Sequence, residues 1–116
     1  MVEHLHPHLD VVVDGKSITV PSQIGINSSL WKDRSLDKYG LQGLSPLHTH
    51  DNSGTIHVES NANRSYTLGE FLNIWGGLDL NGKKTVKATL VNGSNPVSDY
   101  NNLVLRDGQR IKLEIG

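Results

Sequence analysis

The sequence contains no cysteine and no long hydrophobic run. Without cysteine neither a disulfide nor a zinc–thiolate centre can form, so a metal site here must use nitrogen and oxygen ligands. No apolar stretch approaches the roughly 18 residues that a membrane-spanning helix needs. The chain as given therefore offers no transmembrane segment.

The chain also has few large apolar side chains and a net charge close to zero. The 116 residues include one Phe and one Met, and hydrophobic residues make up 35%. The mean hydropathy is −0.37. These values predict one domain over residues 1–116 with a thin core, such as a sheet covered on one face. The net charge is −1 and no basic run is present, which argues against nucleic acid or an anionic membrane as the main partner.

The six histidines fall into two clusters. The first is His4, His6 and His8, whose period-two spacing places three imidazoles on one face of an extended strand. Pro7 lacks a backbone N–H, which predicts a sheet edge or an extended arm over residues 1–8. If these histidines do not bind a metal, the segment is a solvated histidine-rich arm or an affinity-tag remnant.

The second cluster is His48, His50 and His57, in a segment with a turn signal over residues 51–54. A loop of two or four residues keeps the flanking strands in register. His48 then pairs with His57, and His50 lies beside His48 on the same face. In that register three imidazoles converge on one point.

A bulged turn is the alternative for this hairpin. With Gly54 as a left-handed bulge, His57 pairs with Thr49 and points to the opposite face. His48 and His50 would then need partners from the N-terminal cluster. The turn geometry therefore decides whether the second cluster suffices by itself.

The rest of the chain predicts mostly strands. Asp14-Gly15, between β-branched runs over residues 9–13 and 16–20, predicts a hairpin, and residues 22–45 predict an irregular segment with one helical turn near 35–39. A capping box at Thr67–Glu70 predicts a short helix that ends at Gly76-Gly77.

The C-terminal part predicts three strands. The first, over residues 84–91, is closed by Asn92-Gly93, and Asp107-Gly108 joins strands 103–105 and 110–115 as a hairpin. This order predicts an α+β fold, a small mixed β-grasp-like sheet with one main helix and an inserted histidine-bearing hairpin. The segment 103–111 resembles the ending of many ubiquitin-like domains.

Several motifs in order give a second resemblance. The chain carries H-x-H-L-D at residues 6–10, L-H-T-H-D-x-x-G-x-I-H-x-E at 47–59, T-L-G-E-F at 67–71 and W-G at 75–76. It resembles a family of small exported bacterial and archaeal proteins that share these blocks after a signal peptide or anchor. The resemblance implies an extracytoplasmic location, secreted or membrane-anchored, and says little about activity.

Clustered imidazoles predict a transition-metal site, with zinc or copper as the ion. One ligand set is the second cluster alone, another joins histidines of both clusters, and a third divides them between two sites. We favour a site that uses both clusters, and the candidate ligands are His6, His8, His48, His50 and His57. The carboxylates that could orient them are Asp10, Asp51 and Glu59.

Two functions follow from such a site. The first is a metal-binding extracytoplasmic domain. The alternative is a small zinc-dependent hydrolase or hydratase, in which three imidazoles leave a fourth position for a water of lowered pKa. Edge strands also allow a homodimer.

Overall fold

The computed structural model describes residues 1–80, 82, 85–91 and 95–116. In chain order the strands are β1 (Glu3–Leu5), β2 (His8–Val13), β3 (Lys16–Ile18), β4 (Leu47–His48), β5 (His57–Ser60), β6 (Val86–Leu90), β7 (Asn95–Val97) and β8 (Arg110–Ile115). One α-helix, α1 (Leu68–Trp75), lies between β5 and β6, and 3-10 turns occupy Ser28–Leu30 and Asp37–Tyr39. The predicted α+β class is confirmed.

The strands form two sheets where the sequence predicted one. A five-stranded sheet has the order β3-β2-β8-β6-β7, with β2 and β8 parallel and its other pairs antiparallel. A three-stranded antiparallel sheet has the order β1-β5-β4 and carries His4, His48 and His57, whereas His8 begins β2 of the larger sheet. The larger sheet is mixed, as predicted, while the β-grasp-like arrangement stays a prediction.

Local sequence signals account for the first hairpin and the helix. Asp14 and Gly15 both have positive φ, 50° and 80°, the backbone of a two-residue hairpin turn between β2 and β3. The Thr67 hydroxyl accepts from the Glu70 amide, the Glu70 carboxylate accepts from the Thr67 amide, and Gly76 ends α1 at φ 65°. Both predictions are confirmed.

The predicted hairpin between residues 103–105 and β8 is wrong. β8 already has β2 on one side and β6 on the other, so no edge is left for another strand. Val104 instead forms a bridge with Thr67, and the Leu105 amide donates to the Tyr66 carbonyl. The predicted turn at Asn92-Gly93, and Lys84 in the strand before it, lie outside the described residues.

The core is a single cluster to which both sheets and α1 contribute. Alternate residues of β2 and β8, the inner face of α1 and apolar residues of the smaller sheet all point into it. Fully buried examples are Leu9, Leu113, Phe71, Ile74, Leu47, Ile56 and Val58. None of the helices in the described part of the chain has the length and apolar character needed to cross a membrane.

Candidate metal site

The register of the smaller sheet sorts its side chains onto two faces. β5 is the central strand, with Val58 paired to Leu5 on β1 and to Leu47 on β4. All three side chains are apolar and pack on or against the core. Side chains alternate along a strand, so the neighbours of Val58 on β5, His57 and Glu59, point to the other face.

That other face is lined with imidazoles. His48 on β4 is the strand partner of His57, and His4 on β1 is the partner of Glu59. The predicted pairing of His48 with His57 is therefore confirmed. The pairing of His57 with Thr49, which a bulged turn predicts, is wrong. The connection is not a tight turn, since the β4–β5 ladder stops at this pair and residues 49–56 form a longer loop.

His48 is fully buried, and its ring is oriented by one hydrogen bond. Its Nδ1 lies 2.7 Å from the carbonyl oxygen of Ser45. Because a carbonyl only accepts, Nδ1 carries the proton, and Nε2 of the neutral ring presents a lone pair. This Nε2 is buried and has no hydrogen-bond partner among the described residues.

Tight packing behind His48 keeps the ring in place. Gly25 lies against β4 with φ 70°, and a Cβ there would lie 2.5 Å from the Leu47 carbonyl oxygen and 3.2 Å from the His48 Cβ. The Gly25 carbonyl also accepts from the Ser45 amide, at 2.8 Å. The segment around Gly25 therefore fixes both His48 and the carbonyl that sets its tautomer.

Glu59 is the centre of the site. Its Oε1 lies 3.4 Å from His48 Nε2, 4.0 Å from His50 Nε2 and 3.8 Å from His57 Nδ1. The sequence analysis placed Glu59 among the carboxylates that orient ligands. The structure places its oxygen among the ligand atoms themselves.

His48, His50 and Glu59 could hold a metal ion. One ligand atom from each lies within 4.8 Å of the other two. Ligands around a tetrahedral ion with bonds near 2.0 Å are about 3.3 Å apart, so modest side-chain rotations would bring the three into range. The His50 side chain is 47% exposed and has room to make most of that movement.

His57 adjoins this trio. Its ring is 4.5 Å from the His50 ring and stacks parallel to the His48 ring at 5.7 Å between centroids. Burial and the neighbouring His50 and His48 lower the pKa of His57 to about 4. Burial also lowers the pKa of His48. Both rings are therefore neutral near pH 7, the form that binds metals.

The structure places the two predicted N-terminal ligands differently. The His6 ring contacts the His57 ring at 4.9 Å. The His8 Nε2 donates to the Ser53 carbonyl oxygen at 2.6 Å, and its Nδ1 lies 3.7 Å from Asp10 Oδ2. His8 thus holds the 49–56 loop against β2, whereas His6 extends the imidazole face.

The other predicted carboxylates have local partners. Asp10 lies between His8 and Arg110. Asp51 accepts from the amide and hydroxyl of Ser53, and these hydrogen bonds lower the pKa of its carboxyl. Neither belongs to the converging trio.

Sequence reasoning missed two contributors to the site. His4 shares the period-two signal of its cluster, which could have added it to the candidate ligands; the structure makes it the strand partner of Glu59, with its ring against His6. No sequence signal marks the Ser45 carbonyl, because any residue supplies one.

Comparison with known proteins adds no template for the site. No protein family, curated protein or solved structure matches the chain. The family resemblance therefore stays a prediction, and the chemistry rests on the residues described above.

Proposed function

We propose that this protein is a transition-metal-binding domain that holds zinc or copper with His48, His50 and Glu59. The observation that carries this proposal is the buried His48 Nε2, which faces the Glu59 carboxylate at 3.4 Å without a hydrogen bond. Because Nδ1 donates its proton to the Ser45 carbonyl, Nε2 has only a lone pair, and that lone pair faces the Glu59 carboxylate, which is also an acceptor. A buried unsatisfied polar atom costs about 1–3 kcal/mol, and a cation between the two acceptors removes that cost.

The donor set favours a borderline transition metal. Imidazole suits zinc, copper, iron and nickel, whereas magnesium and calcium prefer oxygen ligands. Copper(II) binds nitrogen and oxygen ligands more tightly than zinc does. Zinc therefore occupies the site only where the supply of zinc exceeds that of copper. His57 is the natural fourth ligand, since its Nδ1 is 3.8 Å from the shared Glu59 oxygen.

The setting of the site is part of the same proposal. The family resemblance carried by the motifs over residues 6–10 and 47–59 implies an exported, extracytoplasmic domain. The element order supports a β-grasp-like relationship for the helix and the larger sheet. A homodimer through an edge strand stays a prediction from the sequence.

A zinc-dependent hydrolase or hydratase is the second candidate. The observation that favours it is a trio of two histidines and one glutamate with an exposed His50, because catalytic zinc sites have three protein ligands and an accessible fourth position. His57 decides between the two functions. If it binds the ion, the site is closed; if it does not, a metal-bound water remains.

Elemental analysis tests the proposed function. Protein purified without added metal or chelator should carry about one zinc or copper ion per chain, and His50→Ala and Glu59→Gln should each lose it. Glu114→Gln, an exposed glutamate on β8, is the matched control and should keep it. Wild type without stoichiometric metal, even after dialysis against zinc or copper, would contradict the proposal.

The second candidate has its own test. Zinc-loaded wild type should hydrolyse an activated ester or hydrate carbon dioxide, and His57→Ala should retain or raise that rate. A zinc-loaded protein with no activity above free zinc would exclude the enzyme and leave the binding domain.

A further inference from the structure

Three histidines outside the trio form a connected row. The His4 ring lies 4.7 Å from the His6 ring, and the His6 ring lies 4.9 Å from the His57 ring. The His57 ring in turn contacts His50 at 4.5 Å. The row therefore runs from β1 at the edge of the sheet, across β5, to the proposed metal site.

Burial increases along the row from His4 to His57. His4 is exposed, the His6 side chain is 42% exposed and that of His57 is 20% exposed. In the trio His48 is fully buried, whereas His50 is 47% exposed. An ion that enters at His4 thus exchanges bulk water for protein ligands in stages. Each stage replaces a water ligand with an imidazole nitrogen, without change in oxidation state.

The row is built from pairs, whereas the site is a trio. Among the described residues, the group of three whose ligand atoms converge is His48, His50 and Glu59. His4 with His6, and His6 with His57, offer two imidazoles at a time. Two ligands bind an ion more weakly than three that include a carboxylate, so affinity should rise toward the buried end.

We infer that His4, His6 and His57 form a relay that captures a divalent zinc or copper ion at the surface and passes it to the trio. This inference rests on the proposed function, and it adds a route and a role for His4 and His6. Asp107 supports the outer end of the relay. It accepts from the His6 amide at 2.8 Å and lies 3.8 Å from the His6 Nδ1.

The competing route is direct entry past the exposed side of His50. The two routes differ in kinetics. A residue on the path but not in the final site changes the rates of uptake and release by the same factor, because it alters only the barrier. A residue in the final site changes the dissociation constant.

Stopped-flow zinc uptake and chelator-driven release would distinguish these routes. His6→Ala and His4→Ala/His6→Ala should slow both processes by roughly tenfold or more, a smaller factor than the roughly 100- to 10,000-fold that holding a ligand near its site can contribute. Their equilibrium zinc affinity should stay within about threefold of wild type. Alanine keeps the backbone amide that binds Asp107, and Glu3→Gln, on the same strand but the opposite face, is the matched control.

Each other outcome overturns the relay. Unchanged rates in the double variant would assign entry to the His50 side. A weaker affinity with unchanged uptake would make His6 a ligand. The proposed function is tested separately by wild type, because a failure to bind zinc at equilibrium defeats it whatever the variants do.

Discussion

Replacing Glu59 with Gln should have opposite effects on the metal-free and metal-bound protein. In the metal-free protein the carboxylate faces the unpaired Nε2 of His48 at 3.4 Å. A Gln amide can donate to that lone pair and keeps nearly the same volume. One new buried hydrogen bond contributes about 1 kcal/mol. Glu59→Gln should therefore raise the free energy of unfolding in chelator by about 1 kcal/mol.

The same substitution removes a charged ligand. Removing a group that only hydrogen-bonds to a metal ligand already lowers metal affinity by about 10–100-fold. Removing a ligand itself should therefore lower zinc affinity by at least about 100-fold. Zinc at 100 times the wild-type dissociation constant should stabilise wild type by about 2.7 kcal/mol. It should stabilise Glu59→Gln by only about 0.4 kcal/mol, and the order of stability should therefore reverse on adding zinc.

Denaturant unfolding with chelator and with zinc measures both effects in one experiment. Glu114→Gln on β8 controls for the loss of a surface charge and should follow wild type in both conditions. Suppose instead that Glu59→Gln destabilises the metal-free protein and that zinc raises its free energy of unfolding as much as it does for wild type. His48 Nε2 and the Glu59 carboxylate would then not form a metal site.

Three further predictions concern pH, the helix and the loop behind the site. Because the pKa of His57 falls to about 4 in the folded protein, the unfolded state binds more protons below pH 6.5. Stability of the metal-free protein should fall as pH drops from 6.5 to 4, by at most about 3 kcal/mol before solvent screening, in unfolding curves across that range. Thr67→Ala removes the capping box of α1 and should lower the free energy of unfolding by about 1 kcal/mol in denaturant titrations, with metal stoichiometry unchanged. Gly25→Ala forces a Cβ to within 2.5 Å of a carbonyl oxygen and should lower both the melting temperature and zinc affinity, since it displaces His48; an unchanged affinity would show that this loop does not position the ring.

Much of the fold could be predicted because local chemistry determined it. Asp14-Gly15 requires a turn with positive φ, and Thr67 with Glu70 satisfies the first amides of α1. These signals depend on residues a few positions apart. Their success follows from interactions that are local in the chain.

The sheet order could not be predicted because strand partners are chosen by the whole core. Residues 103–105 are a short apolar run next to a turn signal, which predicts a strand. In the structure β8 already lies between two other strands. The short β7 contains Pro96. A proline without an N–H suits either a loop or an edge strand, so the sequence does not distinguish the two.

The candidate site was predictable in its histidines and not in its centre. His48, His50 and His57 stood out by type and spacing, while their register remained open until Cα pairing placed His48 opposite His57. The role of Glu59 as a ligand depends on the distances from its Oε1 to the imidazoles, which no sequence spacing predicts. The tautomer of His48 depends on a backbone carbonyl.

Crystals of the zinc- or copper-loaded protein, measured at the absorption edge of the metal, test the central claim most directly. We predict one strong anomalous peak within bonding distance, about 2.0–2.2 Å, of His48 Nε2, His50 Nε2 and Glu59 Oε1. A principal peak beside His8 and Asp10, or at His4 and His6 alone, would contradict the assignment, as would the absence of any ordered ion.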